Sequence, residues 1–361
     1  MARFFPLVVT DIQHETREAV AITLEPPAEH RDVFRYLQGQ YLTFRYEHEG
    51  EELRRNYSIS TGVDENRLRI GVKRVDGGAF SNWANTQLKR GDILEAMPPE
   101  GKFNAELMPD EARTYLMFAG GSGITPVLGL IKTILAREPR SAITLVYANR
   151  TVNSIMFREE LEDLKNLNLG RFSILHVIEN DTQEMDLFTG RVDEDKLTRL
   201  FKGGWIDLES VDLAFICGPE PMMLAISQAL QQQGMAKENI RFELFKTALR
   251  RNGPAPQAGN GKAAQSGKRC ELVVTLDGVT KVLDIPASGM SVLEAAMQAD
   301  MDAPHSCRAG VCSTCRAKVV EGEFELEANY ALEDYEIEQG YVLTCQCMPL
   351  SDRLVVDYDQ H

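Results

Sequence analysis

The chain has no long hydrophobic run. Its apolar stretches fall far short of the roughly 20 residues needed to cross a bilayer. Phe4 to Val9 is only a short apolar segment behind Arg3, without the build of an export signal. The expectation is a cytoplasmic protein that does not enter a membrane. Its seven cysteines are an odd number, which in such a chain argues against a disulfide scaffold. Acid is missing from one stretch: no Asp or Glu stands between Leu244 and Cys270, whereas Lys246, Arg250, Arg251, Lys262, Lys268 and Arg269 are basic. With its Gly, Pro, Ser and Gln, that stretch has the composition of a flexible tether. Nucleic acid is excluded as its target by the charge of the domain it carries. From Glu271 to His361, 17 Asp and Glu stand against 5 Lys and Arg, a net −12 of the chain's −15, and such a domain repels phosphates. A length of 361 residues gives room for two or three domains, each with its own core.

The acidic part carries Cys307-Arg-Ala-Gly-Val-Cys312-Ser-Thr-Cys315 and, after twenty-nine further residues, Cys345. C-x4-C-x2-C…C is the plant-type spacing for a [2Fe–2S] cluster, four thiolates holding two irons. Small residues between the cysteines let backbone amides point at sulfur. A structural zinc site generally shows two C-x2-C knuckles or His partners, and here there is one knuckle. A Rieske centre needs two His ligands, and His305 has no second His near Cys345. By spacing alone, Cys347 competes with Cys345 as the fourth ligand. Cys270 reads as a small apolar residue.

Residues 1–105 read as a small antiparallel β-barrel. Phe4–Val9, Ala19–Leu24, Gln40–Tyr46, Asn56–Ser60, Arg67–Val72 and Ile93–Met97 are short β-branched or aromatic segments separated by turns, with one helix at Ser81–Leu88. Arg55-Asn-Tyr57-Ser58 lies in one strand, and alternation is expected to send the ring to one face and the polar pair Arg55 and Ser58 to the other. Gly77-Gly78-Ala-Phe-Ser81 runs into a helix start whose amides and dipole suit a pyrophosphate. Equally, Tyr57 can be core and Ser81 an N-cap with no ligand.

Residues 106–248 alternate apolar runs with helical patterns. Strands are expected at Thr114–Ala119, Ile143–Ala148, Phe172–Val177, Asp212–Ile216 and Ile240–Phe245. Helices are expected at Pro126–Ala136, Met156–Asn166, Asp193–Phe201 and Glu220–Gln233. This is an α/β doubly wound parallel sheet. Its first strand ends in Ala119-Gly-Gly121-Ser-Gly-Ile-Thr125-Pro126, where glycines allow close approach of a phosphate, Thr125 can cap the next helix and Pro126 fits its first position. Pro126 replaces the third Gly of the usual dinucleotide fingerprint. Cys217-Gly218-Pro closes another strand at the same end, beside the nicotinamide of a bound dinucleotide; a buried apolar thiol is the alternative. Arg150, after the second strand, either pairs the 2′-phosphate of NADPH or is a solvated charge.

Arg-x-Tyr-Ser, Gly-x-x-Ser, Gly-Gly-Ser-Gly-Ile-Thr-Pro and Cys-Gly-Pro, in that order, resemble the ferredoxin–NADP reductase superfamily. With a plant-type ferredoxin domain at the C-terminal end, the chain resembles the reductases that feed bacterial oxygenases. Glu51-Glu-Leu-Arg-Arg55, Ala148-Asn-Arg150-Thr, Met156-Phe-Arg and Tyr341-Val-Leu-Thr-Cys345-Gln are similar to the reductase subunits of phenylacetyl-CoA epoxidases, along essentially the whole chain.

The resemblance implies three domains: an antiparallel β-barrel flavin domain at 1–105, an NAD(P)H-binding α/β domain at 106–248 and, after a linker at 249–268, an α+β β-grasp ferredoxin domain at 269–361. It implies that Arg55, Tyr57 and Ser58 hold FAD, with Ser58 near the reactive nitrogen, that Val72 and Lys73 border it, and that Gly78 to Ser81 bind its pyrophosphate. Phe245 would lie over the flavin. Gly121, Thr125, Pro126, Arg150, Cys217 and Gly218 would form the NADPH site, with NADH possible, and Ser58 and Cys217 would serve the hydride step. Cys307, Cys312, Cys315 and Cys345 would be the cluster ligands, with Cys347 outside the family pattern. Gln38 stands where relatives often have Pro, a change expected to alter a turn. The implied activity is electron transfer from NADPH through FAD and [2Fe–2S] to the di-iron oxygenase subunits of a phenylacetyl-CoA epoxidase. Reductases for a ketosteroid hydroxylase or a hybrid-cluster protein share these motifs, and a redox sensor is the reading of another class. The flavin stands between a two-electron donor and a one-electron acceptor, so it must take two electrons and release them singly. The acidic ferredoxin face is expected to dock on a basic patch of the oxygenase.

Overall fold

The structure, a computed structural model, describes residues 3–181, 185–245, 269–287 and 289–360. They divide into two compact units, one over Phe4–Phe245 and one holding the described residues from Arg269 onward. The expected linker at 249–268 lies outside the described residues. Among the described residues no helix is long and apolar enough to cross a membrane.

The first unit begins with six antiparallel strands, β1 (Phe5–Thr16), β2 (Ala19–Glu25), β3 (Tyr41–His48), β4 (Glu51–Ser58), β5 (Leu68–Lys73) and β6 (Ile93–Ala96), in the order β4-β3-β6-β1-β2-β5. Alternation explains β1: Phe5, Leu7 and Val9 are buried while Val8 between them is exposed. The sheet closes on itself where Ile59 bridges Ile70 and the Ser60 amide donates to the Arg69 carbonyl at 2.8 Å. Closure removes both open edges and makes the barrel. Its one helix, α1 (Ala79–Thr86), packs Phe80 and Ala84 into the barrel core.

Five parallel strands follow, β7 (Thr114–Gly120), β8 (Ala142–Asn149), β9 (Phe172–Ile178), β10 (Leu213–Cys217) and β11 (Ile240–Glu243), in the order β11-β10-β7-β8-β9. Between them run α2 (Ile124–Arg137), α3 (Arg158–Leu167), α4 (Glu194–Lys202) and α5 (Glu220–Gln232). Tyr115 to Ala119 in β7 are all buried, as a strand covered on both faces requires. Barrel and sheet form one unit through specific ties. The Gln38 amide donates to the Ala105 carbonyl at 2.9 Å, so the residue that replaces proline anchors the chain as it leaves the barrel. Arg69 of β5 pairs with Glu160 of α3 at 2.8 Å, and Lys132 of α2 bridges Glu160 and Glu65.

Two local expectations are corrected here. Thr125 does not cap α2, because the segment Gly121–Gly123 forms a 3-10 turn that leads straight into the helix; Thr125 Oγ1 donates back to the Ser122 carbonyl at 3.0 Å. Pro126 is accordingly the third helical residue, still in the first turn, where a missing N–H is harmless.

The second unit contains β12 (Arg269–Leu276), β13 (Val279–Pro286), α6 (Val292–Gln298), β14 (Arg316–Glu321), β15 (Phe324–Leu326), α7 (Asp334–Glu338), β16 (Tyr341–Leu343), β17 (Cys347–Pro349) and β18 (Arg353–Asp357). Its main sheet runs β13-β12-β18-β14-β16, with β18 parallel to β12, and β15 pairs with β17 separately. This is the β-grasp. Helix α6 starts on a reciprocal cap: Ser291 Oγ accepts from the Glu294 amide at 3.2 Å, and the Glu294 carboxylate accepts from the Ser291 amide at 3.1 Å. Its buried face, Val292, Leu293, Ala295 and Ala296, covers the sheet.

Candidate functional site

In the first unit, β4 delivers Ser58 to a place that sequence distance conceals. Ser58, 1 % exposed, donates from Oγ to Glu243 Oε2 at 3.1 Å, across 185 positions of chain. Glu243 ends β11 and lies in register with Cys217, which ends β10. Three side chains from three strands therefore meet at the carboxyl end of the parallel sheet. Glu243 as a residue is partly exposed, but its carboxyl is turned from water, and burial pushes it up to about 8 against the opposing hydrogen bond from Ser58. Burial, assisted by Glu243, also raises the Cys217 thiol well above its ordinary value. Such burial disfavours the thiolate. The sequence motifs miss Glu243; the available signal is an acid interrupting the apolar ending Phe242-Glu-Leu244.

The expected sharing of faces in β4 is corrected. Residues two apart in a strand face the same way, so Arg55 goes with Tyr57 and Ser58 faces opposite. The Tyr57 ring lies 5.2 Å from Phe80 and 6.2 Å from Phe44. Burial raises the Tyr57 hydroxyl and lowers the Arg55 guanidinium. Ser81 is not the N-cap of α1 either: Gly78 holds that position, and Ser81 Oγ, in the first turn, accepts from the Val75 amide at 3.1 Å. The serine fastens the turn from inside, because the chain enters the helix three residues earlier than expected.

The glycines of the parallel sheet mark where two loops touch. A side chain at Gly123 would put its Cβ 2.2 Å from the Cys217 carbonyl oxygen, and one at Gly218 would meet the Gly120 Cα at 3.1 Å. Gly121 has φ +52°, and a Cβ there would lie 3.7 Å from Lys73 Nζ. Between β7 and β10 the strand order reverses, the switch point at which open α/β sheets bind ligands. Val72 is fully buried; Lys73 ends β5 at this place, its ammonium lowered by burial, with Glu18 opposing and Arg150 assisting the shift. Lys73 and Arg150 thus sit within electrostatic reach of each other beside a glycine loop, a donor set suited to an anion. Thr125 points elsewhere: its methyl packs where Gly71 lacks a side chain, between barrel and helix, and Pro126 is buried. Phe245 lies two residues beyond β11 and is 44 % exposed.

In the second unit all four thiols of the C-x4-C-x2-C…C pattern are buried, and none is in a disulfide. They fall into two pairs. Cys307 and Cys312 have sulfurs 3.2 Å apart, and Cys315 and Cys345 lie side by side, tied by the Thr344 amide donating to the Cys315 carbonyl at 3.1 Å. The Ala309 amide points at Cys307 Sγ at 3.4 Å, and the amides of Val311 and Gly310 point at Cys307 and Cys345. Two thiol pairs fringed by amides fit two irons held by four thiolates. Cys347 instead begins β17, is fully buried in the apolar core, and has a thiol pushed up to about 12 by that burial. Position thus separates the two cysteines that spacing left in competition.

The sequence matches three families in succession: the oxidoreductase FAD-binding domain over residues 6–105, the oxidoreductase NAD-binding domain over 117–228 and the 2Fe-2S iron-sulfur cluster binding domain over 274–350. It is 39 % identical to a component protein of the 1,2-phenylacetyl-CoA epoxidase of Escherichia coli (strain K12), over 99 % of both chains. The chain belongs to the oxygenase reductases. This reductase is also 32 % identical to the ferredoxin reductase component of 3-ketosteroid-9-alpha-monooxygenase from Rhodococcus rhodochrous, over 98 % of its own length and 96 % of that protein. Its fold is that of phthalate dioxygenase reductase, at a TM-score of 0.60 and 22 % identity over 98 % of each chain. It is an oxidoreductase that carries electrons from a pyridine nucleotide through FAD to a [2Fe–2S] cluster.

Proposed function

We propose that this reductase draws electrons from NADPH and delivers them, in the cytoplasm, to the di-iron oxygenase subunits of a multicomponent phenylacetyl-CoA epoxidase. The observation that carries this reading is the 39 % identity, running over 99 % of both chains, to a component of such an epoxidase. Bound FAD would supply the exchange between a hydride and single electrons, and the cluster would pass those electrons on. Arg55 and Tyr57, sharing a face of β4, would hold the flavin, with Val72 and Lys73 at its border and Gly78 to Ser81 at its pyrophosphate. Ser58 orients the Glu243 carboxyl, which keeps its proton at neutral pH. Cys217, uncharged, and Gly218, without a side chain, leave room for a flat ring beside them. Gly121, Lys73 and Arg150 would take the nucleotide phosphates, Thr125 and Pro126 shaping the loop from beneath and Phe245 covering the flavin side. Cys307, Cys312, Cys315 and Cys345 would hold the cluster. In domain terms, 1–105 binds FAD, 106–248 the nucleotide and 269–361 the cluster, with 249–268 as linker.

The test is NADPH consumption by the purified chain mixed with a phenylacetyl-CoA oxygenase component, with and without phenylacetyl-CoA. Oxidation requiring both oxygenase and thioester supports the reading. Oxidation with cytochrome c but no coupling to that oxygenase refutes the partner and leaves the electron-transfer chain. Replacing NADPH by NADH, and Arg150 by Gln, tests the nucleotide: a tenfold loss of kcat/KM confined to NADPH is expected of Arg150→Gln, as for a lost charge-assisted contact.

A further inference from the structure

The residue after Cys345 closes the stretch Tyr341-Val-Leu-Thr-Cys345-Gln, and its side chain has no role in the site as described so far. Gln346 is 9 % exposed. Its Nε2 donates to the Arg308 carbonyl at 3.1 Å and to the Cys345 carbonyl at 3.0 Å, and stands 3.7 Å from Cys345 Sγ in donor geometry. Arg308 sits in the cysteine loop at φ +53°, a left-handed conformation that a side-chain-bearing residue needs help to hold. Gln346 Cγ also lies where a Cβ on Gly310 would come within 3.2 Å. One amide therefore grips the loop that carries Cys307 and points an N–H at the sulfur of Cys345. Thr314 is a further side-chain donor, at Cys312.

We infer that Gln346 is a positioning residue that sets the reduction potential of the [2Fe–2S] centre through Cys345. The inference rests on the assignment of the four thiols as its ligands. Reduction adds one electron, taken from the reduced flavin, and one negative charge, with no bond formed or broken. An N–H aimed at a ligand sulfur stabilises the more negative state more than the oxidised one, and so raises the potential. Removing it lowers the equilibrium constant for reduction.

The experiment is a redox titration of the full-length holoprotein, followed by the electron paramagnetic resonance signal of the reduced cluster, in wild type, Gln346→Met and Gln346→Glu. Methionine keeps length and volume without a donor; glutamate places acceptor oxygens against the sulfur. The expected result is an equilibrium constant about tenfold lower in Gln346→Met, which is about 59 mV more negative for one electron, and lower still in Gln346→Glu, with normal cluster content. Potentials unchanged in loaded variants overturn the inference. Should the variants not take up iron, the wild type decides: with 15N placed only in glutamine side-chain amides, the reduced cluster is expected to show a 15N hyperfine coupling, and its absence overturns the inference. A wild type that binds no [2Fe–2S] cluster refutes the ligand assignment instead.

Discussion

The two units build their redox sites in opposite ways. In the cluster unit, three of the four thiols and the amides of Ala309, Gly310 and Val311 at these sulfurs come from the nine residues Cys307–Cys315, and one later segment supplies Cys345 with a further amide at Cys315. In the flavin–nucleotide unit, Ser58 and Glu243 meet across 185 positions, a strand end of the closed barrel against the carboxyl edge of the parallel sheet. A site made from strand ends depends on the packing of everything between them, and its chemistry fails when two distant backbones shift.

That difference is open to breakage, most strongly at the thiols. Cys315→Ser is expected to abolish the iron–sulfur absorption and electron transfer to cytochrome c while flavin reduction by NADPH stays within twofold; Cys347→Ser, altering only a core thiol, is expected to keep the cluster. Visible spectra of the purified variants check both. A fully loaded cluster in Cys315→Ser would mean that the paired-thiol assignment is wrong.

Next in size comes the Ser58–Glu243 contact. Glu243→Gln, which keeps the size of the side chain and an acceptor for Ser58, is expected to slow flavin reduction about tenfold through the altered position of Ser58, with the cluster spectrum unchanged. The pH dependence has a definite sign. The carboxyl's folded value, about 8, lies above its ordinary 4.5. Its contribution to stability is therefore complete below pH 4.5 and is lost as pH rises through about 8. Urea unfolding of the flavin–nucleotide unit should accordingly show wild type weakening relative to Glu243→Gln over pH 4.5–8, then running parallel to it. Parallel curves throughout would mean a normally ionised Glu243.

Smaller effects test packing. Gly123→Ala drives a Cβ to 2.2 Å from the Cys217 carbonyl oxygen, and should cost about 1–3 kcal/mol, as overpacking does, with a raised KM for the nucleotide. Calorimetry should find only the flavin–nucleotide transition lowered; an unchanged melting point would show that the two loops can part cheaply. Smallest is Lys132→Met, which leaves Glu65 and Glu160 without their shared cation. About 1 kcal/mol is expected for this partly exposed pair, readable in the same transition and reduced at high salt if the charges are responsible.

The sequence alone was enough for whatever is local. C-x4-C-x2-C needs only a short loop, and its chemistry follows from the spacing. The barrel strands and the alternating strands and helices of the second domain were visible because burial imposes periods of 2 and 3.6 on apolar residues. Even the glycine loop could be read, since a close backbone approach admits no other residue type. Tertiary structure decided the rest. Spacing could not choose between Cys345 and Cys347, two residues apart; the fold sets Cys345 beside Cys315 and Cys347 at the start of β17. Local capping rules placed Ser81 and Thr125 at helix starts, but a glycine entry and a 3-10 turn had already satisfied those ends. Glu243 carries no motif, and its raised pKa is a property of the burial it meets beside Cys217 and Ser58, not of the residue. Gln346 acquired its partners the same way, from a loop 38 residues upstream. Hydrogen bonds and desolvation act between neighbours in space, and only the folded chain makes those residues neighbours.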